Sequence, residues 1–307
     1  MKKHKQEIIG EICVFVVIVI YAFWPIGVAY GAKALPQIQF LAYTSLVGSI
    51  LFFFTTLFKK EFHHFKKLNN IGWLLLYTIL ISVLPYGVMT YAARYTNAID
   101  ISLLVQTEAI YAVIIGWIVL KEHIQLNKLL GILSIVAANV LLLYEGGAHI
   151  SMANLVIAMA PLSFVCANLV AKKLLENGVG WSPLLFFRSF IGGLIILSIA
   201  AKVEGLQVPP SNLWWFLFIF GFVLFGLEKI FWQMALHRMD MSKSGVLTGA
   251  TPIFSFLFVY LLFNETPQPY QWAALALTML GVLLVLRTTS KQWGKTNSSQ
   301  SAHQPLP

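Results

Sequence analysis

The stretch Ile99–Leu120, IDISLLVQTEAIYAVIIGWIVL, decides how the whole chain is read. It runs 22 residues with bulky apolar side chains on every face and carries Glu108 near its middle. A helix of about 20 apolar residues crosses the ~30 Å hydrocarbon core of a bilayer. A helix apolar all round belongs in lipid or in the core of a large protein. A mid-span carboxylate costs ~2.5–3.5 kcal/mol on insertion scales, so it faces protein or water and marks a transport path.

Composition extends this reading to the full chain. Of 307 residues, 58% are hydrophobic and 11% charged, and the mean hydropathy is +0.77. A soluble domain needs about 25% charged residues to solvate its surface. A soluble enzyme, a disordered chain and a small disulfide scaffold are therefore excluded. Long unbroken apolar runs, rather than alternating ten-residue segments, exclude a β-barrel. Lipid-facing backbone must satisfy its own hydrogen bonds, so the fold class is an all-α membrane protein. Cys13 and Cys166 both fall inside apolar runs and read as small buried hydrophobes, with no metal or cofactor implied.

Ten runs qualify as spans: Ile8–Tyr30, Leu35–Phe58, Ile71–Ala93, Ile99–Leu120, Leu126–Tyr144, Ala153–Leu175, Pro183–Ala201, Leu213–Leu236, Gly245–Phe263 and Gln271–Leu286. Lys2, Lys3 and Lys5 precede an apolar stretch, as in a signal peptide, but the run is too long and holds Glu11 and Trp24, so it reads as a retained first span. The Ser/Gln/Lys-rich residues 288–307 read as a disordered cytoplasmic tail. With both termini inside, sixteen Lys/Arg lie on the cytoplasmic side and three (Lys33, Arg94 and Lys202) outside. Positive loops stay cytoplasmic, which sets the orientation and assigns the +9 charge to topology and membrane lipids rather than nucleic acid. The expected location is a multi-pass position in a bacterial inner membrane.

Two loops repeat. Leu120-Lys121-Glu122 and Phe263-Asn264-Glu265 place their glutamates 143 residues apart, and the span boundaries coincide at the same offset. Five spans per half is an odd number, so the second half inserts upside down. The expected domains are a first repeat over 1–146 and an inverted second repeat over 147–287. Inverted repeats are a transporter feature that places the substrate site between the halves near the midplane.

These residues resemble the EamA-like transporters of the drug/metabolite transporter superfamily. Gln106-Thr107-Glu108-Ala109-Ile110-Tyr111 through Leu120-Lys121-Glu122 is similar to that family's Glu-Pro helix and acidic loop, and Thr251-Pro252-Ile253 through Asn264-Glu265 to its second copy. Gly131, Gly281 and Tyr91-Ala92-Ala93-Arg94-Tyr95 fit as well. Ala109 and Thr251 depart from the pattern, which puts a symmetric partner for Glu108 in doubt. Arg188 sits where members carry arginine early in the seventh helix, and the second helix has no counterpart. The resemblance implies a secondary transporter exporting amino acids or related compounds; import of vitamins, nucleosides or related cofactors stays open.

Five ionisable side chains qualify as mid-span candidates: Glu11, Glu108, Arg188, Glu228 and Lys229. Glu108 is the first candidate for a ligand of a substrate ammonium or for a proton-coupling group, against a structural hydrogen bond. Arg188 and Glu228 fall at similar depths on consecutive helices, so an ion pair or gate is expected. Lys229 stands ~100° round its helix from Glu228, and either snorkels to the interface or lines the cavity. Glu11 is close to the inner interface. Trp24, Tyr86, Thr107, Asn168, Trp232 and Thr251, with Tyr21 and Tyr91, complete the candidate cavity; Pro25, Pro85, Pro161 and Pro252 interrupt helices. No nucleophile constellation or signalling domain supports an intramembrane enzyme or sensor. The partners expected are a small-molecule substrate, protons as a further candidate, and lipids. Monomer and homodimer stay open, since Gly27 and Gly31 are one common small-xxx-small pair.

Overall fold

The computed structural model describes residues 2–27, 31, 35–66, 68–121, 125–144, 147, 149–236, 238, 247–263 and 266–301, with regular structure among them entirely helical. Eight helices have membrane-crossing length and apolarity: α1 Ile8–Gly27, α2 Gln37–Phe58, α3 Ile71–Ala92, α4 Ala98–Val119, α5 Leu126–Tyr144, α6 Met152–Glu176, α7 Trp181–Val203 and α8 Ser211–Ala235. The ninth and tenth expected spans are shorter apolar helices: α9 over Thr251–Phe263, and α10, apolar over Pro269–Val285. Most of the ends match the apolar runs to within two or three residues. The exception is α9, which begins at Thr251 because a turn at 249–250 precedes Pro252. The helix of α10 continues to Ser301 through residues whose composition reads as a disordered tail; no proline interrupts it before Pro305. Glu122, Lys33, Asn264 and Glu265 lie outside the described residues, and so do the last residues of the expected first span.

The repeat is written into the backbone. α3 contains a π-helical stretch at Ile79–Val83, and α8 contains one at Gly221–Leu227. Adding the 143-residue offset to the first lands inside the second. In α4 a 3-10 turn, Val105–Thr107, ends where a new helical segment starts at Glu108. At the same offset α9 starts at Thr251. Stretches of 3-10 and π geometry inside helices are uncommon and concentrate at functional positions.

The two most extensive helix contacts, α2 with α7 and α5 with α10, each join symmetry-related helices. Ser45 Oγ donates to the Ser189 carbonyl (2.9 Å), and Ser134 Oγ to the Leu277 carbonyl (2.7 Å). These partners stand 144 and 143 residues apart. Gly131 and Gly281 bring α5 and α10 together: a Cβ on either would lie 2.7 or 2.6 Å from the other's carbonyl oxygen. Lipid gives helices no hydrophobic reason to associate, so close backbone approach through small residues supplies packing instead. Gly27 and Gly31 face Phe220 of α8 and Phe40 of α2, which places that pair inside the bundle rather than at a dimer seam. Large apolar side chains such as Phe58, Trp117 and Ile118 stay exposed on the outside, where lipid would meet them.

Candidate substrate site

Helix irregularities set the site. Tyr21 and Trp24 flank the turn at residue 23 of α1, with rings stacked 6.3 Å apart. Trp24 meets Tyr86 of α3 edge-on at 5.5 Å, just past the π stretch and Pro85. Tyr86 in turn packs on Phe164 of α6 (5.3 Å) and Phe225 of α8 (5.7 Å). Four helices thus build one buried aromatic wall. The Trp24 indole N–H is buried with no hydrogen-bond partner; a buried unsatisfied donor costs about 1–3 kcal/mol.

Glu108, Arg188, Glu228 and Lys229 converge on this wall. Glu108 opens the second helical part of α4 and interacts electrostatically with Tyr21 and Lys229. Arg188 of α7, 7% exposed, lies within electrostatic reach of Tyr77, Tyr86 and Glu228. Lys229 Nζ stands 2.6 Å from Glu228 Oε2 and 5.4 Å from the Tyr21 ring centre. The Lys229–Glu228 contact is a close ion pair. Two acids and two bases balance when all are ionised. Charges buried together this way offset the desolvation that each alone would suffer.

The geometry corrects two expectations. Glu228 pairs directly with its neighbour Lys229, whereas Arg188 reaches it only through space. The two residues start the helical turn that follows the π stretch, and the four-carbon stem of Lys229 swings its ammonium round to the carboxylate. An ideal 100° separation at Cα therefore does not separate the charged atoms.

The polar candidates divide. Trp24 and Tyr86 form the wall, and Trp232 lies one turn beyond Glu228, half-buried. Thr107 is committed elsewhere: its Oγ donates to the Leu104 carbonyl and accepts from Asn139 Nδ2 (3.0 Å). Thr251 makes the corresponding bond to the Thr248 carbonyl (2.6 Å). Hydroxyls back-bonded to the preceding turn thus mark the helix break in each repeat, one position out of register with each other at the 143-residue offset. Asn168 is exposed on α6, and Tyr91 turns outward toward Tyr95 and Arg94. Tyr77, Phe164 and Phe225 were not singled out by sequence, because a lone aromatic in a span is ordinary.

A second polar centre also escaped. Asp100, fully buried, accepts from Gln271 Nε2 (2.7 Å) and Asn154 Nδ2 (3.2 Å). Gln271 also bonds Asn97, whose side chain caps α4. One residue from the first repeat is thereby tied to two from the second. Its signal was present: an aspartate at the second position of one run, with amides near the starts of two others.

Paired helical repeats around a buried, charge-balanced cluster define a multi-pass membrane transporter. The chain belongs to the EamA-like transporter family, whose profile matches residues 8–144 and again 151–287. An uncharacterized transporter of Archaeoglobus fulgidus is 25% identical over 279 residues, covering 87% of this chain and 92% of the relative. One from Synechocystis is 23% identical over 261 residues, covering 80% and 73%. A probable amino-acid metabolite efflux pump of Salmonella typhimurium is 25% identical over 197 residues, covering 60% and 65%. A crystal structure of another protein shares the fold, with a TM-score of 0.66 at 15% identity over 92% of this chain and 98% of that one.

Proposed function

We propose that this protein exports amino acids or closely related zwitterions by alternating access, from a site between the repeats and with both termini in the cytoplasm. The observation that carries the reading is the convergence of Glu108, Arg188, Glu228 and Lys229 on the Tyr21–Trp24–Tyr86 wall. Glu228 and Lys229 neutralise each other. Glu108, beside Lys229, and Arg188, beside Tyr77, then supply the charges that would meet an ammonium and a carboxylate. Arg188 presents the planar fork that suits a carboxylate, and Glu108 the acceptors that suit an ammonium. The aromatic wall adds apolar area and a partner for a cation. The relatives named as amino-acid metabolite efflux pumps support the substrate class and the direction.

Proteoliposomes loaded with a panel of unlabelled amino acids should show counterflow of at least one labelled member. Exchange of nucleosides or vitamins with no response to any amino acid would replace this reading with the alternative. Imposing a pH gradient on the same vesicles separates proton coupling, which would accelerate net flux, from exchange, which it would leave unchanged.

A further inference from the structure

Glu204 follows α7 directly, at the end of the bundle that the charge asymmetry places outside. Its carboxylate accepts from the first three amides of α2: Oε1 from Gln37 N–H (3.1 Å), and Oε2 from Ile38 (3.1 Å) and Gln39 (3.2 Å). Arg94, in the turn between α3 and α4, adds a 3.3 Å ion pair to Oε1. The α3–α4 hairpin is thereby fastened to the α2–α7 pair. Free amides and the positive end of the dipole make a helix N-terminus a favourable seat for a carboxylate.

The 143-residue offset relates Glu204 to Glu61 and residues 37–39 to 180–182. Glu61 comes three residues after α2 ends at Phe58, at the opposite end of the bundle. Its carboxylate lies against Gly180, where a Cβ would stand 2.8 Å from Oε2 and 3.0 Å from Oε1. Yet Glu61 Oε2 is buried without a hydrogen-bond partner. The offset carries Arg94 to position 237, next to Arg238 at the inner end of α8. Arg238 Nε is likewise buried without a partner. The same device is therefore built twice, engaged at the outer end and disengaged at the inner end.

We infer that Glu204 and Glu61 are alternating latches: each closes its own end of the transporter by capping the partner repeat's helix, and one opens as the other engages. In the state seen here the outer latch is made. In the opposite state Glu61 accepts from the amides of 180–182, and Arg238 comes to it as Arg94 comes to Glu204. Gly180 leaves the room this needs. The inference rests on alternating access but on no particular substrate.

Hydrogen–deuterium exchange on the purified full-length protein in lipid nanodiscs tests it without any ligand. Wild type should show slow exchange at 37–39 and faster exchange at 180–182. Glu204→Gln should speed exchange at 37–39 by about fivefold, the size of a lost cap, and should slow it at 180–182. Adding Glu61→Gln or Gly180→Ala should abolish that reciprocal slowing. Glu204→Asp, which keeps the charge on a shorter arm, gives an intermediate shift even if the glutamine variant is poorly folded. Faster exchange at 37–39 with no slowing at 180–182 would make Glu204 a static cap and overturn the inference. A failure of every amino acid in the counterflow assay would leave this result standing.

Discussion

The two repeats share a backbone but not a chemistry. The π stretches of α3 and α8 coincide at the offset, as do the helix starts at Glu108 and Thr251. At the same offset Arg188 corresponds to Ser45, Glu228 to Pro85, Lys229 to Tyr86, and Glu108 to Thr251. The second repeat thus contributes three charges and the first contributes one. Symmetry fixes where helices break and which positions face the centre. The side chains at those positions then differ, with Glu108 from one half and Arg188, Glu228 and Lys229 from the other. A pseudo-symmetric frame can rock between two states while holding an asymmetric ligand in a single orientation.

The largest effect should come from unpairing the second repeat's charges. Lys229→Met leaves Glu228 buried beside Arg188 alone and should destabilise the protein by about 3–5 kcal/mol, read as thermal unfolding in detergent. Adding Glu228→Gln should recover most of the loss. The glycines of the axis come next. Gly281→Ala must push α5 from α10, at about 1–3 kcal/mol; Gly72→Ala, where a Cβ meets nothing within 4 Å, should be neutral in the same assay. The smallest effect compares the threonines at the helix breaks. Thr107→Ala removes the acceptor of buried Asn139 Nδ2 as well as a back-bond, and should cost about 1–2 kcal/mol. Thr251→Ala removes only its back-bond and should cost less. Equal losses would mean that the Asn139 contact is energetically silent.

Much of this comparison was legible before any coordinates. Spans are legible because lipid demands long apolar runs, and the boundaries of α2 through α8 follow from that demand. The offset was readable from two loop glutamates, and the π stretches later fell on it. Buried charges were readable because their cost makes them rare. Their partners were not. Pairing Glu228 with Lys229 depends on the reach of a four-carbon stem, which the 100° spacing of neighbours on a helix does not reveal. The role of Asp100 is not legible, since the second residue of a span falls at the membrane interface in sequence, whereas it is fully buried in the fold. The kinship of Glu61 and Glu204 was hidden because loop carboxylates are ordinary until a helix N-terminus is seen beside them.

The central claim is that Glu108 and Arg188 hold opposite ends of one zwitterion. Counterflow in proteoliposomes can test it with an exported amino acid, its carboxyl-free amine and its amine-free acid, each competing against labelled parent. Arg188→Gln should abolish the advantage of the parent over the amine while leaving the amine's own competition nearly unchanged. Glu108→Gln should do the same for the acid. Equal weakening of all three competitors by both variants would show that the two residues shape the cavity without reading the substrate's charges, and would contradict the account.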